Sequence, residues 1–75
     1  MKQPEAETLA RAARIDRAAI MKTPDGWKIF LYGEHRARED AVETARGGHR
    51  TWASIDTAYN WVRALPGPLI AVKVD

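Results

Sequence analysis

Cysteine is absent from this 75-residue chain. That excludes a disulfide framework, thiolate metal ligation and a cysteine nucleophile, and a reducing, cytoplasmic setting is expected. Serine occurs once, as Ser54, where a helix N-cap accounts for it. His35 and His49 are the only histidines, and their separation forms neither an HxxxH nor an HExxH pair on one helical face. Glu34-His35 and Glu39-Asp40 are acid–base pairs of the kind charged loops carry, with no pocket-forming framework around them. The one adjacent glycine pair, Gly47-Gly48, belongs to no phosphate-cradling motif. No apolar run approaches the roughly 18 residues a membrane span needs. Met1–Ala10 is polar and acidic, unlike a secretory signal. The expectation is a protein that is not an enzyme, holds no metal or cofactor and has no membrane partner.

What is present is the composition of a folded chain: 45% hydrophobic and 29% charged residues, outside the range of disordered sequences. At this length a single domain over residues 1–75 is expected, with a small core. The net charge of +2 arises entirely within residues 1–22, and the remainder is neutral. Eight of the twelve cations are arginine, the side chain suited to bidentate phosphate or carboxylate contacts.

Residues 5–21 read as an amphipathic helix, rich in Ala, Leu, Arg and Glu, with Pro4 at its first turn. Leu9, Ile15 and Ile20 fall on its apolar face at 100° per residue. Thr23-Pro24-Asp25-Gly26 is a turn, because proline presets one backbone angle and Asp-Gly accepts tight geometry. Trp27–Tyr32 has the aromatic and β-branched content of a strand, with Trp27, Ile29 and Leu31 on one face and Lys28, Phe30 and Tyr32 on the other. Arg36–Ala45 has alanines at helical spacing but almost no large apolar side chain. A return strand at about Ala41–Ala45 is preferred, since Trp27–Tyr32 needs a hydrogen-bonding partner. Ser54–Leu65 reads as a helix capped by Ser54, with Ile55, Ala58, Val62 and Leu65 as its buried stripe. Pro66-Gly67-Pro68 ends it, and Leu69–Val74 alternates as a closing strand. The expected fold class is α+β in the order α-β-β-α-β: a ββαβ core over residues 26–75, and a three-stranded sheet with helices packed on it.

Two surfaces are candidates for binding. The densest basic cluster is Arg46-Gly47-Gly48-His49-Arg50, where glycines admit close approach and arginines can grip a phosphate; Arg36 and Arg38 lie in the preceding loop. The second candidate is the strand face of Lys28, Phe30 and Tyr32, joined by Lys73, where aromatics among cations can stack unpaired bases. The competing structural reading packs Phe30 and Tyr32 beneath the first helix. A third arrangement makes Leu9, Ile15 and Ile20 the seam of a homodimer.

The stretch Ala45–Ala58, ARGGHRTWASIDTA, with the strand start Asp25-Gly26-Trp27, resembles a TARG…RTFASLDTA pattern. That pattern occurs in short reading frames of bacterial plasmids and integrative elements, some being partition-associated proteins of a ParC-like family. The resemblance covers roughly residues 44–65, and His49, Trp52 and Ile55 depart from it. It implies a mobile-element accessory protein acting near nucleic acid or a DNA-bound protein. It brings no catalytic residues. The leading expectation is nucleic-acid binding through Arg46, His49 and Arg50, then Lys28, Phe30 and Tyr32. The alternative is a small protein–protein interaction module, either a homodimer or an inhibitor docking on a larger bacterial complex.

Overall fold

The computed structural model describes residues 1–33 and 40–75, with Asp40 described by its backbone alone. The first helix, α1, spans Gln3–Arg11, with proline in its first turn, Glu5 at its positive end and Arg11 at its negative end. It is much shorter than the expected 5–21 helix. Ala13 takes a left-handed φ of 59°, its N–H bonds to the Ala10 carbonyl, and the Arg14 N–H bonds to the Leu9 carbonyl at 2.8 Å. This pair of bonds is a Schellman closure, built here on alanine where glycine is usual.

The rest of the expected helix is a strand, β1, over Arg17–Thr23. It turns at Pro24-Asp25 into β2, Gly26–Tyr32, and the antiparallel register runs from Thr23↔Gly26 to Arg17↔Tyr32. Gly26 sits at φ 131°, and a Cβ there would lie 2.9 Å from the Trp52 carbonyl oxygen. Two short strands follow: β3, Asp40–Ala41, and β4, Ala71–Val74. The strand order is β3-β2-β1-β4, with β4 parallel to β1. Residues 17–20 therefore stand between two partners and residues 21–23 pair with β2, and pairing outweighs helix propensity there. Alanine's helical preference is worth at most about 0.7 kcal/mol per residue over ordinary residues. Each buried backbone group left unpaired would cost about 1–3 kcal/mol.

The fold is α+β. Strands of four residues or more, β1, β2 and β4, make a three-stranded mixed body, and the two-residue β3 flanks it. Membership of that body differs from expectation: β2 finds its main partner before it in sequence. The expected return strand Ala41–Ala45 shrinks to β3, with Phe30↔Ala41 and Leu31↔Asp40 as its pairs. Beside the start of β2 the neighbour is instead Trp52, which exchanges two backbone hydrogen bonds with Trp27 at 2.8 and 2.9 Å.

The second helix, α2, spans Ile55–Arg63 within the expected 54–65 range. The Ser54 hydroxyl accepts from the Thr57 N–H at 3.3 Å, as an N-cap should. Ala58 and Val62 are buried, Ile55 and Leu65 are half-buried, and Trp61 meets Trp52 edge-on at 5.6 Å. Both helices pack on one face of the sheet, where Ala6 and Ala10 of α1 and Ala58 and Val62 of α2 share a core with Ala18, Ile20, Ile29, Leu31 and Val42. The segment after α2 comes close to the end of α1: a Cβ on Gly67 would fall on the Ala10 carbonyl oxygen.

Candidate functional site

With core side chains alternating along β1 and β2, the intervening residues are directed to the opposite face. These are Arg17, Ala19 and Met21 on β1 and Lys28, Phe30 and Tyr32 on β2, joined by Ala41 of β3 and by Ala71 and Lys73 of β4. None of them belongs to the contiguous core cluster or packs against it, although Ala19 is buried and Phe30 and Tyr32 are half-buried. No helix covers this face among the described residues. Phe30 and Tyr32 therefore do not lie beneath the first helix.

The register orders the face in rows. One row is Ala41, Phe30, Ala19 and Lys73; the next is Tyr32, Arg17 and Ala71. The Arg17 guanidinium lies over the Tyr32 ring, 5.4 Å from its centroid. Two carboxylates border the cations: Asp16 stands 3.6 Å from Arg17, and Asp75 stands 3.9 Å from Lys73. All four side chains are well exposed. Pairs of this kind are worth about 0–1 kcal/mol, so they leave both cations able to meet a stronger anion.

The basic loop is arranged differently. Arg46 is exposed in a turn closed by the Thr44 N–H on the Gly48 carbonyl, with Gly47 at φ 98° and open space around it. His49 is exposed and bridges backbone to Glu43. Arg50 is half-buried and committed: its guanidinium lies over the Trp52 ring at 4.8 Å and donates to the Gln3 Oε1 at 3.3 Å. It lines a cleft of about 630 Å³ together with Lys2, Gln3, Pro4, Glu7 and Glu43, so two cations there face two carboxylates. The Met1 ammonium donates to Glu43 at 2.6 Å and holds its carboxyl below the ordinary glutamate range, with Lys2 and His49 adding smaller effects. Arg36, Arg38 and His35 lie outside the described residues.

The expected homodimer seam is corrected by burial. Ile15 and Ile20 are buried in the chain's own core, Leu9 packs against it, and Ile20 lies on β1. The three share no helix face, because the helix that would have aligned them ends before Ile15. Sequence reasoning missed Arg17 for the same reason, since the expected 5–21 helix included it and the observed strand β1 begins with it. The signal was there in part: a Pro-Asp-Gly turn has residues on both sides able to pair, and the Arg17–Met21 segment alternates around Ala18 and Ile20.

Among the described residues no three His, Asp or Glu side chains gather as metal ligands, and no helix is long and apolar enough to cross a membrane. Comparison with known proteins brings no match: no family model, no curated protein and no solved structure aligns with the chain.

Proposed function

We propose that this protein is a non-enzymatic, cytoplasmic accessory protein of a bacterial mobile element that binds nucleic acid through the sheet face opposite α1 and α2. The observation that carries this reading is the gathering of Arg17, Lys28 and Lys73 around Phe30 and Tyr32 on that face. Cations on a flat surface neutralise phosphates, and exposed ring faces take bases. The resemblance of residues 44–65 to partition-associated proteins supports the mobile-element setting. The sheet face takes precedence over the basic loop because Arg50 is engaged with Trp52 and Gln3. Arg46 and His49 form a secondary contact.

Fluorescence anisotropy of labelled DNA at low and near-physiological salt tests the proposal. Replacing Arg17, Lys28 and Lys73 together by alanine is expected to weaken binding and to lower the salt slope by about one per lost phosphate contact. If Arg46→Ala with Arg50→Ala lowers the slope and the sheet variant does not, the loop is the site. Absence of binding at low salt rejects the reading.

One observation favours a protein-interaction module instead. Leu69 is 84% exposed and leads into β4, which among the described residues pairs on one side only. A partner seated on that edge would be lost on Leu69→Asp while DNA affinity stayed unchanged.

A further inference from the structure

The aromatic side chains of the open face are not equivalent. Tyr32 already carries the Arg17 guanidinium over its ring. Phe30 has no cation over it among the described residues, and its cross-strand neighbours on both sides are alanines, Ala19 on β1 and Ala41 on β3. The side chains flanking its ring across the sheet are thus single methyl groups, too short to wall it off. Lys73 follows Ala19 in the same row, and Lys28 lies two residues before Phe30 on β2. From strand spacing and rise, these lysines stand on the order of 10 Å and 7 Å from Phe30 along the backbone. That separation is of the size between a base and the phosphates flanking it.

Resting on the nucleic-acid reading above, we infer that this face takes unpaired nucleotides, with one base stacked on Phe30. Lys28 and Lys73 meet the adjacent phosphates, and Tyr32 acts as a positioning residue that holds Arg17 toward the same backbone. A duplex keeps its base faces inside the stack and presents only edges and phosphates, so it has nothing to lay on the Phe30 ring. Phenylalanine also has no hydrogen-bonding group, so the contact tolerates any base. The occupant is therefore a single strand bound with little sequence preference.

The test compares a labelled oligothymidylate of about ten nucleotides with a duplex of equal length, using the full chain and its Phe30→Leu and Phe30→Trp variants. Phe30→Leu keeps the apolar bulk and removes the ring. It is expected to weaken oligothymidylate binding roughly 5- to 150-fold, leaving the salt slope and duplex affinity unchanged. Phe30→Trp is expected to retain binding, and its added tryptophan emission to be quenched by the oligonucleotide. A folded Phe30→Leu variant that binds the single strand like the parent overturns the inference, as does a parent that prefers duplex. Either result leaves nucleic-acid binding itself standing. If Phe30→Leu does not fold, unquenched emission from Phe30→Trp overturns the inference in its place. Loss of all binding by the parent at low salt removes the broader reading and this one together.

Discussion

Arg17 on β1 and Tyr32 on β2 are register partners, and the guanidinium of the first lies over the ring of the second. A cation held this way at an exposed site gains about 0.5–1 kcal/mol. It is also paired with the exposed Asp16 carboxylate, 3.6 Å away. Tyr32→Ala is expected to reduce single-strand affinity and to lower the salt slope by up to about one, as Arg17 loses its preferred position. Tyr32→Phe keeps the ring and is expected to keep the slope. Salt titrations of both variants check this, and equal slopes for Tyr32→Ala and the parent would count against the positioning role.

Close backbone approach makes two glycines irreplaceable. A Cβ on Gly33 would fall on the carbonyl oxygen of Arg14, and one on Gly67 on that of Ala10. Gly67 also sits at φ 90°, a conformation that side chains with a Cβ resist. Gly67→Ala and Gly33→Ala are each expected to destabilise the fold by more than about 1 kcal/mol. For a chain of this size that lowers the melting temperature by at least roughly 4–8 °C. Gly47→Ala makes a useful contrast: it has the same sign of φ but open space around it, so only backbone strain opposes it.

Ala13 presents the converse case. It occupies the left-handed position that closes α1, at φ 59°. An L-residue there carries a strain of roughly 1–2 kcal/mol that glycine escapes, partly offset by glycine's larger entropy loss on folding. Ala13→Gly is expected to stabilise the protein by about 0.5–1 kcal/mol. Denaturant midpoints at unchanged m-value would measure it. A decrease in stability would mean that the Schellman closure does not form in solution.

Glu43 couples stability to acidity. Its carboxylate accepts from the Met1 ammonium, which depresses its pKa in the folded chain relative to the unfolded one. A depressed carboxylate contributes stability in full above the ordinary glutamate range and loses it as pH falls through the folded value. Glu43→Gln is expected to be less stable than the parent at neutral pH, with the difference disappearing in acid. Thermal melts across pH 2–7 (roughly the window of carboxylate titration) would show the two curves converging. A difference independent of pH would mean that the ion pair is not the origin.

Local signals and long-range ones divide this chain unevenly. The Ser54 cap and the stripe through Ala58 and Val62 lie within a few residues of one another, and α2 follows them closely. The alternation of Trp27–Tyr32 is equally local and assigns Lys28, Phe30 and Tyr32 to one face, as observed. The segment 17–23 is the opposite case. Its alanines favour a helix by fractions of a kcal/mol, and that preference is overridden because β2 and β4 bond it on both edges. One of those partners begins three residues after it ends, and the other lies near the end of the chain.

The candidate site follows the same division. That Lys28, Phe30 and Tyr32 share a face was determined by the sequence alone, through the two-residue period of a strand, whereas Arg17 joins them only through the pairing of β1 with β2. Whether that face is covered was decided only by tertiary structure, because it depends on where both helices pack. They pack where Ile20, Ile29 and Leu31 present their apolar area, against Ala6 and Ala10 of α1 and Ala58 and Val62 of α2. Burial of that area outweighs anything to be gained by covering Phe30, flanked as it is by Ala19 and Ala41 and set among cations. Among the described residues no helix covers the aromatic face for that reason, and no local pattern within residues 26–32 carries the information.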